Sequence, residues 1–210
     1  MRALDGKEKF LEHFNVSRET IERLEIYEEL IRKWNSAINL VAASTVDQIW
    51  DRHFLESVQA YDFADANSGK WLDLGSGGGF PGAVVAILAA EADSTIRVTC
   101  IESDIRKCEF LRTVSRSTGI PMQVVSRRIE ETPPQDASII SARALSSLGK
   151  LLQFTDRHVA SAGQAVFLKG ESWPQEVDNA RNDWTFDLET CPSLTNPTSA
   201  LLKLRNIKRA

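Results

Sequence analysis

The stretch Asp73-Leu74-Gly75-Ser76-Gly77-Gly78-Gly79-Phe80-Pro81-Gly82 concentrates the chemistry of the chain in one place. Glycines at such a bend accept positive φ and let a ligand approach the backbone, and a helix opening at Pro81 offers free N–H groups beside them. A nucleotide-like cofactor suits that arrangement. Gly77, Gly79 and Gly82 also satisfy the dinucleotide spacing G-x-G-x-x-G, which keeps NAD as an alternative. Two acids favour S-adenosylmethionine instead. Asp73, just ahead of Gly75, Gly77 and Gly79, suits a cofactor with a cationic amino group, a sulfonium and no pyrophosphate. Glu102 ends the next strand 29 residues on, where its carboxylate can accept both ribose hydroxyls. The competing reading is a tight structural turn followed by an acid that only caps a helix.

Three further positions carry usable groups. Arg143 falls at the carboxyl end of a strand, the rim where doubly wound folds bind ligands, with a surface ion pair as its other reading. His53, beside Arg52 on a largely apolar helix face, either packs in the core or acts. Lys169 ends a buried strand before Gly170 and either holds a phosphate or is simply solvated. The cysteines Cys100, Cys108 and Cys191 form no C-x-x-C pair, and no His stands at zinc-ligand spacing, so neither a disulfide framework nor a metal site is expected.

These residues need elements to hold them. From Ser17, a plausible N-cap, Ile21, Leu24, Tyr27, Ile31, Trp34 and Ile38 recur at helical steps. A second helix is expected to open at Thr45, with Gln48 completing a capping box, and to bury Ile49, Trp50, His53 or Phe54, and Val58. After Ser68-Gly69 the pattern turns to short β-rich runs: Trp71 to Leu74, Ile96 to Glu102, Gln123 to Ser126, Ser138 to Ala142 and Gln164 to Lys169. Helices are expected between them at Pro81 to Ala90, Asp104 to Thr118 (ending on a left-handed Gly119) and Ser146 to Ala160. Such alternation implies a parallel sheet. A short helix from Pro174 and an antiparallel pair, Trp184 to Glu189 with Ala200 to Leu204, close the chain. The expected fold is α/β, a Rossmann-like doubly wound and mostly parallel sheet with an N-terminal helical extension. Residues 1–68 form the helical cap and 69–210 the cofactor-binding core, together one structural unit.

Length and composition agree with this. A chain of 210 residues with 42% hydrophobic and 26% charged residues supports one globular core rather than a disordered or disulfide-stapled protein. No apolar run approaches the ~18 residues of a spanning helix, and the opening MRALDGKEKFLEHF mixes acids with bases, so neither a membrane span nor a secretory leader is expected and the cytoplasm is the natural compartment. A net charge of −4 argues against indiscriminate nucleic-acid binding. Local basic patches remain: Arg112, Arg116, Arg127, Arg128 and the tail Lys203 to Ala210, each equally readable as solvated surface.

The stretch Asp73 to Gly82 resembles the signature of the bacterial glucose-inhibited division protein B family, methyltransferases that modify guanine N7 of one nucleotide in 16S ribosomal RNA. Further matches run along nearly the whole chain: Lys33-Trp34-Asn35, Asn39-Leu40, Arg52-His53 through Ser57, Ile129-Glu130, Ser141-Ala142-Arg143-Ala144 and Lys169-Gly170. The pattern departs at Glu56, where the family shows Asp, at Val41, where Thr is common, and at Cys100-Ile101-Glu102-Ser103, which replaces an ending in Asp-Ser. The resemblance implies cofactor contacts from Gly75, Phe80, Ile129, Glu130 and Arg143. It makes Asn39, His53 and Lys169 candidates for the RNA and methyl-transfer side. The partner it implies is 16S rRNA, taken in a small-subunit ribosomal particle; a monomer with no metal and no membrane is the accompanying expectation.

Within that reading the target atom can be weighed. Methylation at cytosine C5 needs a nucleophilic cysteine, whereas Cys100 and Cys108 read as inert core thiols. An exocyclic amine calls for an (Asp/Asn/Ser)-Pro-Pro-aromatic loop after the fourth strand, where Ser141-Ala142-Arg143 stands instead. Guanine N7 has a lone pair and no proton to lose, so positioning can replace a general base. Two other functions stay open: an NAD-dependent oxidoreductase, which lacks an evident second domain and a Tyr-x-x-x-Lys pair, and a non-enzymatic nucleotide-sensing protein with the same fold.

Overall fold

Strands buried on both faces require a layer on each side, and the helical segments between them supply both. The computed structural model of the chain describes residues 6–64, 68–92 and 94–210. Seven strands form one sheet: β1 (Ser68–Leu74), β2 (Thr95–Glu102), β3 (Gln123–Ser126), β4 (Ala137–Arg143), β5 (Val159–Lys169), β6 (Trp184–Pro192) and β7 (Ala200–Arg209). Their order is β3-β2-β1-β4-β5-β7-β6. The first five run parallel, and β7 enters antiparallel between β5 and β6. This is the Rossmann-like, mostly parallel α/β architecture expected from the alternating pattern. Strand order reverses between β1 and β4, where Asp73 pairs with Ser141, and ligands bind beyond the carboxyl ends of strands at such a point.

The helices are α1 (Gly6–His13), α2 (Arg18–Asn35), α3 (Leu55–Ala64), α4 (Gly82–Glu91), α5 (Ile105–Thr118), α6 (Leu148–His158) and α7 (Trp173–Ala180). Because successive strand side chains point to opposite faces, Trp71 joins one apolar cluster with Leu24, Tyr27, Phe54, Val84 and Leu111, while its neighbour Leu72 joins another with Leu148, Leu151 and Val177. The N-terminal helices therefore share a core with α4 and α5. A fully buried phenylalanine such as Phe54 contributes about 1.5–3 kcal/mol, so several of them seat the helices firmly on the sheet. Ser17 caps α2 by accepting from the Thr20 amide at 3.1 Å, and Gly119 ends α5 at a φ of 69°, both as expected.

Other expectations need correction. No regular helix opens at Thr45: a 3-10 turn (Ala43–Gln48) leads into a π-helical turn (Ile49–Phe54) before α3. The Thr45 hydroxyl donates to the Ala42 carbonyl at 2.9 Å and lies 2.9 Å from His53 Nε2, so it is not spent on a capping box. β1 starts at Ser68 rather than Trp71. α6 stops at His158 rather than Ala160, because Val159 already pairs with Ala137 and a bulge follows before Gln164 meets Ile139. The basic tail is no loose end: β7 extends to Arg209, Lys203 Nζ reaches the Phe63 carbonyl at 3.1 Å and Glu189 at 2.7 Å, and Arg209 lies over the Trp184 ring. Residues 1–5, where the chain was read for a leader, and 65–67, at the end of the expected cap, lie outside the described residues.

Candidate functional site

Two cavities open along the carboxyl edge of the sheet. The first, about 380 Å³, is lined by Gly75 and Gly77 after β1, Glu102 at the end of β2, and Ile129 with Glu130 after β3. Its volume lies in the range of small-molecule clefts. Gly75 and Gly77 have φ of 60° and 53°, where a side chain is strained. A Cβ on Gly75 would fall 2.5 Å from a methyl of Leu145, whereas one on Gly77 would meet nothing closer than 3.8 Å. The loop is thus walled at Gly75 and open at Gly77. The Glu102 carboxylate accepts from the Gly77 amide at 2.9 Å and the Asp104 amide at 2.8 Å. A carboxylate offers about four acceptor positions, so two remain for a vicinal diol. The open glycine backbone and the half-used carboxylate fit S-adenosylmethionine.

The second cavity, about 370 Å³, is lined by Thr45, His53, Glu56, Arg143 and Lys169 among others. Ala144 lines both cavities and has a φ of 51° without being glycine. Backbone held in that region costs energy and persists where the surroundings fix it. Here the surroundings are explicit: Lys169 Nζ donates to the Ser146 carbonyl at 2.9 Å and pairs with Glu176 at 2.7 Å, and Glu176 accepts from the Leu148 amide at 2.7 Å. The turn between β4 and α6 is therefore pinned at its far end. Burial by itself would raise the Glu176 carboxyl, but Lys169 and the Leu148 amide hold it below the ordinary range.

His53 sits 5% exposed, with its ring stacked on Phe80 at 4.9 Å. Burial, and then the positive charges of Arg143 and Arg52, push its pKa down to about 3, so the ring is neutral at working pH. Arg143 bonds to the Glu56 carboxylate at 3.3 Å and stands 4.7 Å from the centre of the Phe80 ring. Burial pushes the Cys100 and Cys108 thiols up, which leaves both unsuited to nucleophilic work.

The sequence-predicted residues divide accordingly. Gly75, Gly77, Glu102, Ile129 and Glu130 meet at the first cavity, and His53, Arg143 and Lys169 at the second, so Arg143 stands apart from the other expected cofactor contacts. Asp73, Gly79, Phe80 and Asn39 line neither. Asp73 is fully buried under Gly82, accepts from the Ser141 hydroxyl at 2.6 Å, and is pushed up to about 6 by burial, against the lowering effect of that hydrogen bond. A Cβ on Gly79 would collide with the Tyr27 hydroxyl and Leu111, so this glycine admits α2 and α5 to the loop. The Tyr27 hydroxyl donates to the Gly78 carbonyl. Asn39 is exposed, and its neighbours Leu40, Val41 and Ala42 line the second cavity instead.

Sequence reasoning gave no site role to several residues that have one. Asn35 Oδ1 accepts from the Leu40 and Val41 amides at 2.9 and 3.0 Å and so closes the loop that carries them, a role foreshadowed by an Asn at a helix end. Glu56, at the start of α3, lines the second cavity together with His53 three residues earlier, which that spacing could have revealed. Ser193 and Ser199 reach the second cavity from the β6–β7 connection, and nothing local announces them. Among the described residues no cluster of His, Cys, Asp or Glu could hold a metal ion, and no helix is long and apolar enough to cross a membrane.

Comparisons with known proteins give the chain a family and its fold solved counterparts. The family described as rRNA small subunit methyltransferase G matches residues 20–201. A protein named ribosomal RNA small subunit methyltransferase G from Ruegeria sp. (strain TM1040) is 48% identical over 195 residues, covering 93% of this chain and 95% of that one. Among solved structures, ribosomal protein L11 methylase from Lactobacillus delbrueckii subsp. bulgaricus superposes with a TM-score of 0.58 at 16% identity, over 76% of this chain and 79% of that one. M. jannaschii TYW2 in complex with AdoMet gives 0.57 at 11% identity, over 83% and 80%. These two likenesses speak for the fold alone.

Proposed function

This chain belongs to the rRNA small subunit methyltransferase G family, whose members methylate 16S ribosomal RNA, and we propose that it transfers its methyl group from S-adenosylmethionine to N7 of one guanosine. Neither the oxidoreductase nor the nucleotide-sensing alternative is favoured by that membership. The observation that carries the proposal is the meeting of two cavities at the Ala144 backbone. Gly75, Gly77, Glu102, Ile129 and Glu130 hold the cofactor in the first, and the second receives the base.

When bound, S-adenosylmethionine supplies an activated methyl group for an in-line displacement that needs no redox or metal chemistry. The chain then has to orient the base and exclude water. Guanine N7 loses no proton, so no general base is called for, and the groups in the second cavity that could serve as one are already engaged: His53 is buried and bonded to Thr45, and the Glu56 carboxylate is held by Arg143 and Thr195, while Arg143 and Lys169 are donors. Arg143 and the exposed Arg52 orient the base and its phosphate, while Lys169 acts chiefly through the Ala144–Leu148 turn. Asp73 and Phe80 support the glycine loop from beneath, and Asn39 stands at the rim of the RNA face. The acidic total of −4 favours a folded target, so the substrate is taken as a small-subunit ribosomal particle met in the cytoplasm by a monomer. The helical cap, 1–68, and the core, 69–210, act as one unit, supported by the Tyr27 contact to the glycine loop.

The test uses small-subunit particles from cells lacking the gene, incubated with the protein and labelled cofactor. Cleavage of the RNA with borohydride and aniline, which breaks the chain at 7-methylguanosine, is expected at one position. Label without cleavage would place the methyl on another atom, and no label would sink the reading.

A further inference from the structure

We infer that Glu56, held against Arg143, reads the Watson–Crick edge of the target guanine and is the specificity-determining residue of the second cavity; this rests on the guanosine reading above. Glu56 is the one carboxylate lining that cavity among the described residues, and its side chain is 14% exposed. Its Oε1 accepts from the Thr195 hydroxyl and its Oε2 from Arg143 Nη1 at 3.3 Å. Each oxygen keeps an acceptor position, and the guanidinium keeps further donors. The pair thus presents two acceptors followed by a donor.

Guanine offers the complement. Its N2 amine and N1–H are adjacent donors and its O6 is the next acceptor, so Glu56 can take the two donors while Arg143 takes O6. Adenine places an acceptor at N1, opposite a carboxylate that has no proton to give, and uracil and cytosine are too short to span the pair and still present a ring nitrogen across the cavity. This pairing engages the edge away from N7, which stays free to face Ala144 and the first cavity. Methylation leaves a positive charge on the purine, and a carboxylate fixed at its edge stabilises that charge as it develops. The remaining polar side chains do not offer the same pattern: Arg52 and Lys169 are donors only, His53 Nε2 is engaged with Thr45, and Ser193 and Ser199 each bring a single hydroxyl, that of Ser193 bonded with Thr195.

The experiment replaces the target guanosine by inosine, which lacks only the N2 amine, in small-subunit particles reconstituted from ligated 16S rRNA. Wild-type protein should label guanosine particles about 10- to 100-fold more efficiently than inosine particles, the size of a hydrogen bond to a charged acceptor. Glu56→Gln, which turns one acceptor into a donor, should bring that ratio close to 1 while S-adenosylhomocysteine affinity is unchanged. Glu56→Asp, which keeps both acceptors, should retain most of it. Equal labelling of the two particles by the wild type overturns the assignment whether or not the Gln variant folds, and so does a folded Gln variant with an undiminished ratio. The guanosine reading fails separately: discrimination is scored as label, whereas N7 is scored as borohydride–aniline cleavage.

Discussion

Arg143 stands 4.7 Å from the centre of the Phe80 ring while its Nη1 pairs with Glu56 at 3.3 Å, so one guanidinium ties the loop after β1 to α3, which carries Glu56. Both side chains of the ion pair are mostly buried, at 16% and 14% exposure. Breaking one half of a buried pair leaves the other uncompensated. Arg143→Ala should therefore cost about 3 kcal/mol in urea-monitored stability, and Arg143→Lys, which loses the planar stacking, should keep most stability yet lower turnover. An alanine variant as stable as the wild type would show that the pair is not holding the two elements together.

Gly75 and Gly77 should respond differently to a side chain. At Gly75 a Cβ meets Leu145 at 2.5 Å, so Gly75→Val combines a collision with backbone strain of about 1–3 kcal/mol and should abolish binding of S-adenosylhomocysteine. At Gly77 the nearest atom is 3.8 Å away, and Gly77→Ala should fold at a cost of about 1–2 kcal/mol while its methyl intrudes on the cofactor. Calorimetric titration of both variants checks the contrast. Undiminished binding by either would move the cofactor off this loop.

Glu102→Gln should weaken S-adenosylhomocysteine binding by about 1.5–3 kcal/mol, the range for hydrogen bonds to a charged group. The carboxylate also accepts from the Gly77 and Asp104 amides, and an amide side chain can keep only one of these acceptors in full. Unchanged affinity would assign the ribose to another acid, with Asp104 the neighbour to test next.

The rate of methyl transfer should be flat between about pH 6.5 and 8, because N7 has no proton to lose and His53 is already neutral. Stability should move at lower pH. With a folded pKa of about 3 against the ordinary 6.5, His53 binds fewer protons folded than unfolded in that interval, so its contribution falls as pH drops from 6.5 towards 3. Asp73 works oppositely, since its pKa of about 6 lets the folded state hold a proton that the unfolded one releases above 3.8. His53→Gln should reduce the acid loss of urea stability and Asp73→Asn should steepen it. Identical slopes in all three proteins would contradict both assignments.

Lys169 and Glu176 should behave as one unit. Their 2.7 Å pair, with 10% and 19% exposure, also anchors Ser146 and Leu148 around the turn that separates the cavities. Lys169→Met and Glu176→Gln should each lower both stability and turnover, and the double variant should cost about 1–2 kcal/mol less than their sum. Strict additivity would return Lys169 to a simple phosphate contact, in which case RNA affinity alone should fall.

Much of this protein could be read from residue order alone. The alternation of strands and helices, the N-cap at Ser17, the left-handed Gly119 and the glycine loop with Glu102 behind it are consequences of local chemistry, because period, capping and positive φ are set by neighbours in the chain. Tertiary structure decided the rest. Thr45 abandoned its capping box once His53 lay within 2.9 Å, a contact between a 3-10 and a π-helical turn that no propensity encodes. Asp73, at the centre of the motif, proved to be a buried brace for Ser141, and Gly79 a seat for Tyr27, because the motif packs against a helix some fifty residues earlier. Glu56 met Arg143 across 87 positions and Thr195 across 139, distances at which sequence spacing carries no geometric information. What the residues could do was legible from their types; which of them share a cavity depended on where the sheet brought its strands to an end.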